Sequence, residues 1–315
     1  MHRNFSSSNI FAMDETACWF DMPNDTTIHH TGARSVSLKT TGHEKDHFSV
    51  ILTARADGTK LKPFVVFKGK GTRLIKELEK IPGIVVRFSS NGWMNDSLTI
   101  EYLRSIIGSL SFSKCLLVWD AYKCHTSTST QSEASQVKLH TAIIPGGCTK
   151  FIQAADVSWN ASFKSTLRSH YDTWLSEPSL HEFTKGGNMK APSRSLLCKW
   201  VKSSWDAVSQ ATITKSFLIR AITTSIDGSD DDEIHCFKSG QPCADGQSLL
   251  QAETTQLLSE PPSSNTDPFA SDIDSDEDEE NEICIEEDDK EGGEENEDNA
   301  EADDSDLSDV MYNKD

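Results

Sequence analysis

The charge along this chain is divided so unevenly that it decides which part can fold. Residues 1–226 carry 27 Lys and Arg against 18 Asp and Glu, whereas residues 227–315 carry 3 against 32, within a whole-chain net of −20. A run such as SDIDSDEDEENEICIEEDDKEGGEENEDNAEADDSDLSD repels itself and offers little apolar surface to offset the entropy of ordering. Residues 251–315 are therefore expected to form a disordered acidic tail. Any core must come from the basic portion, whose excess of positive charge points to nucleic acid or another acidic partner.

Several classes of protein are disfavoured at once. The eight cysteines are scattered and form no C-x-x-C pair, so reduced thiols are expected rather than a disulfide framework. His235, Cys236 and Cys243 have a spacing that fits no zinc module. The start, MHRNFSSSNIFAMDET, lacks the apolar centre of a signal peptide, and no apolar run is long enough to span a membrane.

Within the basic portion, NIFAMDETACWF reads as a strand. SVSLKTTG follows, and then HFSVILTARADGTKLKPFVVFKG, two runs joined by a turn at Asp57-Gly58, which together predict an antiparallel meander. NDSLTIEYLRSIIGSL places Leu98, Tyr102, Ile106 and Leu110 at helical spacing, with Asn95 or Asp96 as N-cap. KCLLVWD reads as a buried strand ending in an aspartate, and VKLHTAIIPGG as another strand. AADVSWNASFKSTLRSHYDTWLSE sets Val157, Phe163, Leu167, Tyr171 and Trp174 on one helical face. APSRSLLCKWVKSSWDAVS, with Ser193 as cap, and ATITKSFLIRAI close the set. One sheet with flanking helices satisfies this order.

Three aspartates share a setting that scattered surface acids lack. Asp14 follows IFAM, Asp120 follows CLLVW, and Asp156 lies where IIPGGCTKFIQAAD turns into a helix. A lone aspartate at a strand end is usually a turn or cap residue. If the first strand and the CLLVW strand are parallel neighbours, however, Asp14 and Asp120 emerge side by side and Asp156 can complete a cluster. Three such carboxylates repel one another and require cations, and hard oxygen donors suit Mg²⁺ or Mn²⁺. Two such ions can activate a nucleophilic oxygen and stabilise the leaving oxygen of a phosphodiester.

AMDETACWFDMP, SVSLKTTGHEKDHFSVILTARADGTKLKPFVVFKGKG, LLVWDAYKCH, IIPGGCTKFIQAADVSWNASFK and GGNMKAPSR occur in order and with compatible gaps. Together they resemble the DDE-type endonuclease domain of pogo and Tigger transposases, over roughly residues 8–240. The resemblance implies an α/β, ribonuclease H-like mixed five-stranded sheet with flanking helices. It also implies DNA cleavage and joining with two Mg²⁺ (or Mn²⁺) ions on an acidic triad of Asp14, Asp120 and Asp156. His125, Gln153 and Asn160 fall at recurring motif positions, to orient the site or the DNA; for His125 a core hydrogen-bonding role is the alternative. Two departures stand out: about ten residues precede the first strand, where the family carries helix-turn-helix modules, and Arg220-Ala221 stands where relatives commonly have a glycine.

Lys60, Lys62, Lys68, Lys70, Arg73, Lys76 and Lys80 concentrate in one stretch; Lys164, Arg168, Lys185, Lys190, Arg194, Lys199 and Lys202 follow the third aspartate. On a nuclease domain such charges are expected to contact DNA phosphates. The tail either serves solubility, competes with DNA for the basic face, or binds basic chromatin proteins. Two functions follow: a DDE-type nuclease or strand transferase, or a domesticated, catalytically silent nuclear protein that only binds. Both place the chain in the nucleus, with no membrane partner.

Overall fold

Strand β1 (Ile10–Trp19) is buried on both faces, with Ile10, Ala12 and Cys18 entering one core and Phe11 and Met13 the other. A strand so covered must lie inside a sheet, and in the computed structural model β1 occupies an interior position. The structure describes residues 5–23, 30–32, 40–71, 74–107, 114–225 and 227–259. The remaining strands are β2 (His47–Arg55), β3 (Phe64–Lys68), β4 (Val85–Ser89), β5 (Cys115–Asp120) and β6 (Leu139–Ile144), in the order β4-β3-β2-β1-β5-β6. β1, β2 and β3 form the antiparallel meander, whereas β1–β5, β5–β6 and β3–β4 are parallel.

This is the expected mixed ribonuclease H-like α/β arrangement, with one strand more than expected. The sixth strand is β4 (VVRFS), which lies along the outer side of β3. Residues 35–39 of the SVSLKTTG run lie outside the described residues. The turn at Asp57-Gly58 is present: the Asp57 carboxylate accepts from Thr59 N–H at 2.8 Å, and Gly58 has φ +89°. A side chain at Gly58 would meet Gln210 Cγ at 2.3 Å, so glycine is required there twice over.

Short helices α1 (Ile75–Leu78) and α2 (Asp96–Tyr102) follow β3 and β4, and Asn95 is the N-cap of α2, accepting from Leu98 N–H at 3.0 Å. α2 runs on as a π-helical turn, Leu103–Ile107. Then come α3 (Lys123–Thr126), α4 (Thr128–Gln136), α5 (Thr149–Ile152), α6 (Asn160–Ser176), α7 (Arg194–Ala207), α8 (Gln210–Ile219) and α9 (Gly246–Ser259). α9 carries regular structure past Leu250, where disorder was expected to begin; residues 260–315 lie outside the described residues.

The helices cover both faces of the sheet. Phe163, Leu167 and Tyr171 of α6, Leu197, Val201 and Trp205 of α7, and Ile213 and Phe217 of α8 pack with Ala12, Val50, Leu52 and Val65. On the opposite face Leu98, Tyr102 and Ala134 pack with Phe11, Met13, Leu117 and Trp119. Each such buried side chain contributes about 1.5–3 kcal/mol. Polar pins fix the geometry between layers. Asp21, buried just beyond β1, accepts from Tyr171 Oη, Thr41 Oγ1 and His43 N–H, each at 2.8 Å. Lys60 donates to the carbonyls of Trp205, Asp206 and Val208 at 2.8, 2.7 and 2.7 Å, closing the C-terminus of α7.

α8 ends in a left-handed cap. Ala221 has φ +58°, Ala221 N–H donates to Leu218 O at 3.1 Å, and Ile222 N–H donates to Phe217 O at 3.0 Å. This is the Schellman arrangement, with alanine at the position that favours glycine.

Candidate metal centre

The register of the parallel pair sets the site. Ile10, Phe11 and Ala12 lie level with Leu116, Leu117 and Val118, and the same register carried two residues on brings Asp14 level with Asp120. Side chains alternate along a strand, so Asp14 shares a face with Ile10 and Ala12. Asp156 reaches that face from the π-helical turn Ala155–Trp159, whose Ala155 and Trp159 are buried in the same core. A π turn is a common way for a helix to aim a functional side chain.

Asp14 is 7% exposed and has two donors: Gln153 Nε2 at 2.7 Å to one carboxylate oxygen and Asn160 Nδ2 at 2.6 Å to the other. Asn160 Nδ2 also lies 3.4 Å from Asp156 Oδ1, so one amide bridges the two carboxylates. Burial first, and then the neighbouring Asp156 charge, holds the Asp14 carboxyl well above the usual carboxylate range, against the lowering effect of the Asn160 hydrogen bond. Gln153 follows α5, where Arg220 donates from Nη1 to Phe151 O at 2.6 Å and ties the segment to the end of α8.

Asp120 is held differently. Its Oδ1 lies 2.8 Å from His125 Nδ1 and accepts from Tyr122 N–H at 3.2 Å. The opposite ring nitrogen of His125 lies 3.2 Å from Glu15 Oε1, and the ring stacks on Trp119 with centroids 4.3 Å apart. Burial opposes charge on this imidazole, but hydrogen bonds to Asp120, Cys124 and Glu15 outweigh it and push the ring up to about 12. Burial likewise opposes charge on Asp120, and the His125 hydrogen bond and charge overcome it and lower the carboxyl.

Asp14 and Asp156 are therefore brought together directly, while Asp120 stands level with Asp14 but is engaged by His125. Among the described residues the one set of three His, Cys, Asp or Glu side chains with ligand atoms within 4.8 Å of one another is Glu15, Cys124 and His125. Glu15 was not singled out from the sequence. Its signal was available: it follows Asp14 on the same strand and so faces the opposite side of the sheet.

The donor set around Asp14 fits a hard divalent cation. Besides the carboxylates, Gln153 Oε1 and Asn160 Oδ1 are buried beside Asp14 without a hydrogen-bond partner. Unpaired buried oxygens are costly, and a cation or its bound water would satisfy them. Of the cationic side chains expected on a DNA-facing surface, Lys60 is instead spent on α7. Arg194 lies over Phe20 and Phe67 at 6.0 and 5.9 Å, and Arg73 lies outside the described residues. Lys62, Lys68, Lys70, Lys76 and Lys80 are exposed.

A family model described as "DDE superfamily endonuclease" matches residues 45–217. A mouse protein, "Pogo transposable element with KRAB domain", is 27% identical over 222 residues, covering 69% of this chain and 36% of that protein. The human protein of the same name matches with the same identity and coverage. Among solved structures, the "Crystal structure of the Mos1 Strand Transfer Complex" aligns with a TM-score of 0.45 and 11% identity over 68% of this chain and 52% of that one. This chain thus spans about a third of the length of the pogo relatives and about half of the Mos1 chain.

Proposed function

Because this chain belongs to the DDE superfamily endonuclease family, with pogo-type relatives, we propose that it binds DNA and cuts or joins phosphodiesters through Asp14, Asp120 and Asp156. The observation that carries this reading is the buried Asp14 carboxylate. It is held by two amides, shares the Asn160 amide with Asp156, and is flanked by two unpartnered amide oxygens. A carboxylate buried beside a second one at the surface, Asp156, costs stability, and such costs concentrate at functional sites.

Asp14, Asp120 and Asp156 would hold two Mg²⁺ or Mn²⁺ ions, whose chemistry is to activate a hydroxyl or water and to stabilise the leaving oxygen of the phosphodiester. Gln153 and Asn160 fix both oxygens of Asp14 and so set the direction of its free lone pairs. His125, packed on Trp119, fixes the rotamer of Asp120. The exposed lysines contribute phosphate contacts whose strength falls steeply with salt.

A second reading has its own support. His125 is poised as a cation between Asp120 and Glu15, so part of the charge expected for metal is already balanced inside the protein. A domesticated nuclear protein that binds DNA, or basic chromatin proteins through its acidic tail, would retain this fold without cutting. Nicking of supercoiled plasmid in Mg²⁺ and in Mn²⁺, compared with Asp120→Asn, separates the two. Metal-dependent nicking lost in the variant supports the nuclease; equal products from both proteins reject it.

A further inference from the structure

Away from the aspartates, the far end of β1 carries an exposed aromatic shelf. Trp19, the last residue of β1, is 43% exposed and pairs in register with His47 at the start of β2. The His47 ring centroid lies 5.7 Å from that of Trp19, edge-on, and 4.2 Å from that of Trp93. Trp93 is 38% exposed. Three π-systems thus follow one another at the surface, although indoles of this size are normally buried.

The shelf is rigidly mounted. Trp93 sits in the SNGWMN turn after β4, where Asn91 Oδ1 accepts from Trp93 N–H at 3.1 Å. Ser49 Oγ donates to Gly92 O at 2.8 Å and ties the turn to β2. Gly92 has φ +82°, and a Cβ there would lie 3.4 Å from His47 Nε2 and 3.5 Å from Lys68 Cβ. His47 Nε2 is buried without a hydrogen-bond partner.

His47 also lines a cavity of about 340 Å³, together with Phe20, His43, Lys68, Pro192 and Arg194. Lys68 and Arg194 bring positive charge to this cavity, while its carboxylate, Asp46, is paired with His43 Nδ1 at 2.7 Å. Arg194 Nε has no hydrogen-bond partner. Aromatic faces beside cations are the combination that binds unpaired nucleotides: the rings stack the base while the cations hold its phosphate.

We propose that Trp19, His47 and Trp93, with Lys68 and Arg194, form a stacking site for an unpaired nucleobase of a DNA strand. Such a base occurs at a nick, an overhang or a flipped position. The proposal rests on the DNA-binding reading above and adds to it a preference for interrupted over continuous duplex. Charge complementarity favours a nucleotide over a second copy of the chain, because the cavity beside the shelf is lined by Lys68 and Arg194.

The test uses the full chain and fluorescein-labelled duplexes, one blunt and one with a four-nucleotide 3′ overhang, in fluorescence anisotropy at fixed salt. The wild type is expected to bind the overhang duplex about tenfold more tightly, which corresponds to about 1.4 kcal/mol. Trp93→Ala is expected to remove that preference and leave blunt-duplex affinity unchanged, and Trp93→Phe to keep most of it. Melting temperatures of all three proteins confirm that they are folded. Equal affinity of the wild type for both duplexes overturns the inference while leaving the nuclease reading intact; failure to bind either duplex overturns both. Loss of self-association by Trp93→Ala in sedimentation, without loss of the overhang preference, assigns the shelf to a protein contact and also overturns it.

Discussion

Replacing Asp14 with asparagine should make the metal-free protein more stable. The carboxyl group is buried, and its pKa is raised by burial and by the Asp156 charge, so folding penalises the ionised form that the unfolded chain carries at neutral pH. Asparagine removes the charge at nearly constant volume. Its new N–H₂ also finds acceptors, because rotation of the Gln153 or Asn160 amide offers Oε1 or Oδ1, both unpartnered in the native protein. Relief of a buried polar imbalance amounts to about 1–2 kcal/mol, or about 2–8 °C in Tm for a domain of this size. The sign with pH follows. A folded-state pKa above the unfolded value of about 3.9 gives a contribution fully present below that pH and lost as pH rises through the folded value. Urea unfolding in EDTA at pH 7 should therefore show a higher midpoint for Asp14→Asn, and the advantage should shrink as the pH is lowered towards 4. Saturating Mn²⁺ should reverse the order, because ligand at a hundred times Kd stabilises the wild type by about 2.7 kcal/mol. A variant less stable than wild type in EDTA, or an equal Mn²⁺ shift in both, would refute the reasoning.

Other expectations follow from the same geometry. Ala221→Gly relieves a left-handed alanine at the end of α8 and should stabilise the fold by about 1 kcal/mol in urea titrations; no gain would count against that cap. Lys60→Met keeps the aliphatic stem but removes the ammonium donor from three carbonyls, of which Trp205 O keeps the Val208 N–H. It should cost about 1–2 kcal/mol of stability while shifting DNA affinity less than twofold in anisotropy titrations. The imidazolium of His125, held up to about 12, contributes stability that is fully present below about pH 6.5 and declines as pH rises towards the folded value. The urea midpoint of the wild type should therefore fall between pH 7 and pH 10, and that of His125→Gln should fall less. Truncation after Ser259, which keeps α9 whole, should tighten DNA binding at low salt if the acidic tail masks the basic face; unchanged affinity removes that idea.

What was legible in the sequence was carried by strong periodicity or by caps. IFAMDET and CLLVWD were readable as a buried pair because continuous apolar runs exclude edge positions, and Ser193 announced α7 by its place before an amphipathic run. β4 was harder to see, because VVRFS is short and its Arg87 pairs with Glu79 and Glu101 at 3.0 and 2.5 Å, a stabilisation no local pattern reveals. α4 was hidden for a similar reason. TSTQSEASQ has poor helix propensity, yet it is started by Ser127, which accepts from Thr130 N–H, and held by Glu133, which Arg104 grips at 2.7 and 2.6 Å. Lys60 looked like one more surface cation, and only the long-range approach of α7 gives it an interior task. The aspartates were visible as strand-end acids, whereas their unequal partners, amides for Asp14 and an imidazolium for Asp120, arise from contacts far apart in sequence.

The claim at the centre is that Asp14, Asp120 and Asp156 act together as a divalent-metal site. Titration of the full-length protein with Mn²⁺, followed by the loss of the free-ion electron paramagnetic resonance signal, measures this without requiring activity. Two ions are expected to bind per wild-type chain, with at least one lost in each of Asp14→Asn, Asp120→Asn and Asp156→Asn. Absence of binding to the wild type, or the same stoichiometry and affinity in all four proteins, would contradict it.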